Sequence, residues 1–269
     1  MTESGREGAR IDPVRDAPLD LLRAPALLLV FASLLLAPVG ALAGPPFETD
    51  DPFSLPIHTG ESYLFAAGTH AVDGTAWDAG PGIEANYSLI PNTFFHLVIP
   101  LSFNRPNGEP SGYGLGDTEL GFKWLFLKQS GNRPSVATFP FLELPTGDES
   151  RGLGSGKVQA YLPLWLGKES GPWTTYGGAG YRINPGVGNR NWWFTGILVQ
   201  RQLSDRLYMG AEVFHQTADV VGGTSSTGAS VGGGLTIAGP YQALFSVGRN
   251  VQQVDANRFS FYAALYRTF

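Results

Sequence analysis

From residue 60 to the C-terminus, the connections between strand-length segments alternate short and long, and few folds permit that sorting. Such segments fall near 61–70, 81–90, 93–103, 117–128, 135–144, 157–167, 172–183, 192–202, 206–216, 228–238, 240–249 and 258–269. Links after the even-numbered segments are tight: 91–92, 129–134, 168–171, 204–205 and the lone Gly239. Those after odd-numbered segments are longer and rich in Gly, Pro, Asn and Asp, as at 104–116, 145–156 and 217–227. Short turns at one end and long loops at the other describe an up-and-down barrel in an outer membrane, its turns facing the periplasm. A soluble sandwich has no reason to sort loops by parity. The expectation is all-β: a transmembrane antiparallel up-and-down β-barrel of about 12 strands.

Ahead of the strands, residues 24–43 form an apolar run with Arg23 before it, and Ala41-Leu42-Ala43 closes it as a small-x-small cleavage signal. That is the form of a secretory signal peptide removed before Gly44. A run of about twenty apolar residues also suits an uncleaved anchor, but Pro38, Gly40 and the Ala-Leu-Ala end favour cleavage. Glu3, Glu7, Asp12, Asp16 and Asp20 make residues 1–22 a poor n-region, so either translation starts downstream or the leader is long. The expected parts are a signal peptide over 1–43, a periplasmic or plug-like segment over 44–60, and an outer-membrane barrel over 61–269. Glu48, Asp50, Asp51 and His58 stand between prolines in the middle part, which is too polar and broken for a membrane strand. Asp50 and Asp51 are its candidate plug residues.

Beyond the leader no apolar run approaches helix length, whereas a barrel strand needs only about 9–11 residues of alternating apolarity. The net charge is −5 and no basic cluster is present, which argues against a nucleic-acid partner. The absence of cysteine excludes disulfides and thiolate metal sites.

Alternation is plainest at the end of the chain. Phe259, Phe261, Ala263, Leu265 and Phe269 share one parity; Ser260, Tyr262, Ala264, Tyr266 and Thr268 share the other. Such a strand meets an apolar medium on one face and a more polar one on the other. A terminal aromatic in that setting is similar to the C-terminal signal recognised by barrel assembly machinery, the partner expected through Phe269. Arg267, on the apolar parity, fits a side chain that snorkels to headgroups. Elsewhere Leu120, Phe122, Trp124 and Phe126 oppose Asp117, Glu119 and Lys123, while Leu162, Leu164 and Leu166 oppose Lys157, Tyr161 and Trp165. A charge at the bilayer midplane costs about 2–4 kcal/mol for Lys or Arg, so the apolar set points outward. Glu84, Asp117, Glu119, Lys123, Lys157, Arg182 and Glu212 are therefore the candidates to line the lumen or a constriction. Segment 192–202 carries apolar residues on both parities and does not sort. Aromatics near strand ends (Phe94, Phe95, Trp173, Trp192, Trp193, Tyr208 and Tyr241) suit interfacial girdles against outer-membrane lipid and lipopolysaccharide.

The stretch Gly114-Leu115-Gly116-Asp117-Thr118-Glu119-Leu120-Gly121-Phe122-Lys123-Trp124 resembles the Gly-x-Gly-Asp-x-x-x-Gly-x-Lys strand opening of the "MetA-pathway of phenol degradation" family of outer-membrane barrels. Pro145-Thr146-Gly147-Asp148, followed by glycines at 152–156, is similar to that family's Pro-Thr-Gly-Asp loop, and the stretch from Pro46 to Pro52 is similar to its mature start. The resemblance spans nearly all of 44–269. It implies a transporter-like or channel-like barrel with aromatic or other hydrophobic small molecules as cargo.

Catalytic motifs are missing. His58, His70, His96 and His215 hold no metal spacing, no Gly-x-Ser-x-Gly elbow occurs, and Gly232-Gly233-Gly234 lacks the Lys-Ser/Thr of a phosphate loop. No cofactor is expected. The function expected is passive passage of small solutes across a Gram-negative-type outer membrane, at a strand number between filled eight-stranded barrels and open porins. Two other readings stay open: a structural or adhesive barrel with a filled lumen, and an outer-membrane lipid hydrolase with His215 near Ser225, Ser226 or Ser230.

Overall fold

A computed structural model describes residues 45–269, the side chains of 77–79 excepted; the expected leader and its cleavage point lie outside the described residues. Twelve antiparallel strands form a closed ring. In chain order they are β1 (Gly60–His70), β2 (Gly74–Ile90), β3 (Thr93–Pro106) and β4 (Gly112–Leu115 and Thr118–Leu127). Next come β5 (Ser135–Thr138 and Phe141–Leu144), β6 (Gln159–Ser170), β7 (Trp173–Ile183) and β8 (Trp192–Ser204). The last are β9 (Leu207–Gln216), β10 (Ser226–Ala238), β11 (Tyr241–Gln252) and β12 (Phe259–Thr268). Each strand pairs with its sequence neighbours, and β1 pairs with β12 from Glu61↔Thr268 to His70↔Phe259. At that seam Gly60 N donates to Phe269 O (2.7 Å) and Phe269 N to Gly60 O (2.9 Å). The Phe269 ring stacks on Tyr87 at 6.4 Å, so the terminal aromatic packs against the closure itself. Closure leaves no strand edge unpaired, the condition for crossing hydrocarbon with strands.

Alternation places the apolar set outside. On β6, Leu162, Leu164 and Leu166 are exposed on the outer wall while Trp165 is buried; on β12, Phe259 and Leu265 are outside and Tyr266 inside. Near the turn end, the Arg201 guanidinium lies 5.1 Å over Trp173 and that of Arg267 5.7 Å over Tyr241. Both arginines sit on the lipid-facing parity beside the aromatic girdle, where cation–π contact holds them at headgroup level.

Three details differ from the reading of the sequence. Instead of a long first connection at 71–80, β2 begins at Gly74 and leaves a turn of 71–73, because 74–76 continue to pair with 104–106. The first outer loop is thus short, and the second shrinks from the expected 104–116 to 107–111, shorter than the 128–134 turn; the parity of loop lengths is clearest at 145–158, 184–191 and 217–225. Segment 192–202 does sort: Phe194 and Leu198 are buried inside, Trp193, Ile197 and Val199 exposed outside. On its inward face Phe194 meets Trp165 edge-on at 6.2 Å, and Gly196 lies against Thr49 of the N-terminal segment. The third detail is a slip in β4. Tyr113 and Leu115 face outward before it, and Leu120, Phe122, Trp124 and Phe126 after it, so the outward parity changes at Gly116-Asp117. This is the action of a bulge, which adds one residue to one strand. Gly116 fits there because a Cβ would collide with Ser102 Oγ.

Candidate functional site

The lumen is occupied by the chain's own N-terminal segment. Glu212, on β9, accepts from the backbone N–H groups of Glu48 (3.0 Å) and Thr49 (2.8 Å), and from Ser230 Oγ (2.7 Å). On the opposite wall Lys123 Nζ, from β4, donates to Asp50 Oδ1 (2.9 Å) and Asp51 Oδ2 (3.3 Å). Ser246 Oγ on β11 donates to Pro46 O (2.5 Å). Asp51 also accepts from Phe53 N (2.6 Å), a local turn that fixes the carboxylate's aim. Thr49 and Asp51 are 0% exposed. Inward-facing glycines make the room: a Cβ at Gly196 would collide with Thr49 Oγ1, and one at Gly167 would lie 2.8 Å from Pro52. The Lys123 ammonium is further flanked by the rings of Phe94 (5.4 Å) and Phe139 (4.9 Å). Charges so enclosed are stable only when paired and hydrogen-bonded, which both carboxylates provide.

The segment lies between two cavities. The larger, about 360 Å³, follows the inner wall from Glu61 and Lys123 up to Arg182 on β7 and Trp192 on β8 near the outer end. The smaller, about 220 Å³, lies toward β9–β12 and includes Glu212, Ser230 and Ser246. Beside the larger cavity the lumen is filled: Tyr63, Tyr208, Leu244 and Tyr266 form a buried cluster with Phe65 and Tyr262 against it.

A polar network runs along the wall of the larger cavity. Asn86 Nδ2 donates to Glu61 Oε1 (2.9 Å) and Glu84 Oε1 (2.8 Å), and Tyr266 OH donates to Glu61 Oε2 (3.1 Å). His96 Nδ1 lies 2.7 Å from Asn86 Oδ1, and its ring nitrogens are 3.6 Å from Glu84 and from Glu119. Higher up, Arg182 pairs with Glu143 and donates to Gln159 Oε1 at 3.0 Å.

Of the residues singled out in the sequence, Glu84, Glu119, Lys123, Arg182 and Asp50 border the larger cavity and Glu212 the smaller, while Asp51 is buried against Lys123. Asp117 and Lys157 lie elsewhere. The bulge turns Asp117 to the loop 145–156, where it accepts from Gly147 N (2.9 Å), Ser155 N (2.6 Å) and Ser155 Oγ (2.8 Å). Lys157 is exposed just ahead of β6. In the same loop the Ser150 hydroxyl and amide hold the exposed Asp148 carboxyl below the usual carboxylate range. Glu61, Asn86, His96 and Glu143 belong to the site although none was singled out. Their signal was available: each stands on the inward parity of a strand whose other face is apolar. His215 Nδ1 is 2.9 Å from Thr227 Oγ1, so its hydroxyl partner is a threonine.

Comparison with known proteins follows this geometry. The family model described as "Putative MetA-pathway of phenol degradation" matches residues 46–268. A search of curated protein sequences gave no significant match. Among solved structures, the chain is similar to an outer membrane channel from Pseudomonas putida F1, at 14% identity and a TM-score of 0.65, over 83% of this chain and 100% of that one. The translocator domain of the autotransporter NalP from Neisseria meningitidis gives 9% identity and 0.41, over 78% and 86%. The outer membrane channel DcaP of Acinetobacter baumannii gives 9% and 0.29, over 81% and 100%. The first likeness shows the same fold; the other two superpose too loosely to bear on it.

Proposed function

The chain belongs to the family described as putative MetA-pathway of phenol degradation, and on that premise we propose that this outer-membrane barrel is a channel for passive passage of small solutes, throttled by its N-terminal segment. The observation that carries the reading is the cavity of about 360 Å³ left beside a segment held by a few charged and polar contacts. Chambers of this size suit small molecules. Aromatic side chains along it, among them Phe94, Phe139, Phe141 and Tyr161, favour solutes with an aromatic or other apolar body. This agrees with the chemistry in the family's description.

Export through the leader belongs to the same reading. Insertion through barrel assembly machinery by way of the Phe269 strand, and contact with lipopolysaccharide around the outer girdle, complete it.

The test is single-channel conductance in planar bilayers, comparing the protein with a variant lacking 45–53. Small or flickering ohmic steps that grow in the deletion support a throttled channel. Silence in both, with the barrel folded, favours the filled structural barrel, for which the buried tyrosine cluster is the specific observation.

A further inference from the structure

The larger cavity is unbalanced in charge. Glu48, Asp50, Glu61, Glu84 and Glu119 line it, against Lys123 and Arg182. Both cations are engaged, Lys123 by Asp50 and Asp51 and Arg182 by Glu143. Glu61, Glu84 and Glu119 have no Lys or Arg within ion-pair distance among the described residues, and His96 stands between the last two. They come from β1, β2 and β4, with His96 on β3 between, so they form one acidic stripe across adjacent strands. Rings also border the chamber: Phe65 stacks on Tyr262 at 5.6 Å, and Phe139 meets Phe141 edge-on at 5.9 Å. Two polar groups on its walls are buried without a hydrogen-bond partner, the Trp165 indole N–H (the residue 1% exposed) and the Tyr262 hydroxyl. Buried polar groups in folded proteins are nearly always satisfied, so these two stand out beside the chamber.

We propose that this chamber binds a small organic ammonium ion with an aromatic body. The ammonium sits against Glu84 and Glu119, and the ring lies among Phe65, Phe139 and Tyr262. Carboxylates and π faces both attract such a cation, and they do so more strongly where water is excluded. A carboxylate solute of the same size meets the acidic stripe and finds Lys123 and Arg182 already paired. The inference rests on the channel reading for the access of solute, and it narrows the cargo to one charge class.

Three probes of one ring and different charge separate the possibilities: benzylammonium, benzyl alcohol and benzoate. Binding to protein extracted from outer membranes is read by tryptophan fluorescence and by calorimetry. Benzylammonium is expected to bind at least about tenfold tighter than either other probe, equivalent to about 1.4 kcal/mol. Glu84→Gln and Glu119→Gln each remove about that preference, while Asp148→Asn, in the outer loop, keeps it. Glu119 is half-exposed, so its variant carries the test if Glu84→Gln does not assemble. Equal binding of the three probes, preference for benzoate, or an undiminished preference in the glutamine variants overturns the proposal. Equilibrium binding needs no transmembrane current. A silent barrel that prefers benzylammonium sinks the channel reading and keeps this one, and a conducting barrel without preference does the reverse.

Discussion

Lys123 and Asp50, 73 residues apart in the chain, meet at 2.9 Å inside the ring, and Asp51 completes the contact at 3.3 Å. The lysine side chain is 3% exposed and that of Asp51 0%. A pair so enclosed holds the segment in place through the cost of separating it, since either partner left alone is a buried charge without compensation.

Replacing Lys123 by Met is therefore expected to unseat the segment. The penalty on the seated state is about 3–5 kcal/mol, the usual range for removing one partner of a buried pair. Planar-bilayer recordings should show larger and noisier steps than the parent, and adding Asp50→Asn with Asp51→Asn should restore quiet closure. A conductance indistinguishable from the parent would remove the pair from the throttle.

Gly196→Val tests the same seat through shape. A Cβ at 196 collides with Thr49 Oγ1 and lies 3.2 Å from the Phe194 ring, while the flanking Ile197 and Thr195 face outward. The variant should keep the heat-modifiable gel mobility of a folded barrel while its conductance rises. A rise in unfolded protein with no change in conductance per folded channel would show that Thr49 is not what Gly196 accommodates.

Asp117→Ala should act on the outer loop and leave the lumen as it is. The carboxylate takes three hydrogen bonds from Gly147 and Ser155. Without it, the loop 145–156 is expected to become a site of protease cleavage on intact cells, with solute passage unchanged. An altered ion selectivity would instead return Asp117 to the pore.

Ile197→Lys probes the lipid face. Ile197 is 58% exposed in the isolated chain and stands mid-strand on β8. A lysine there is expected to lower the barrel's stability in vesicles by about 2–4 kcal/mol, measured by denaturant-dependent folding. No loss would place that position outside the hydrocarbon.

The strands were legible because lipid on one side and a lumen on the other impose a period of two, and ten or so residues display it. Lys123 and Glu212 could be assigned to the inner wall on parity alone. Asp117 could not, since a bulge at Gly116 changes face without changing composition. Segment 192–202 stayed unsorted because Phe194 and Leu198, although buried inside the ring, look like lipid-facing residues in the sequence. The partners of that segment were hidden for a further reason. Glu212 lies 163 residues from Thr49, and Ser246 lies 200 from Pro46. No local pattern encodes a contact across that distance, and the acids of 44–60 advertised only their polarity.

The segment's two anchors have a consequence for the order of assembly. Glu212 stands on β9 and Lys123 on β4, far apart around the ring, and the residues that bridge them lead directly into β1, the strand that seals against β12. Until that seam is zipped the two anchors have no fixed separation, so the bridge cannot form early. Seating is therefore expected to come last, after the ring has shut. On that order the segment ahead of β1 acts as a latch, whose closing registers that the barrel is complete.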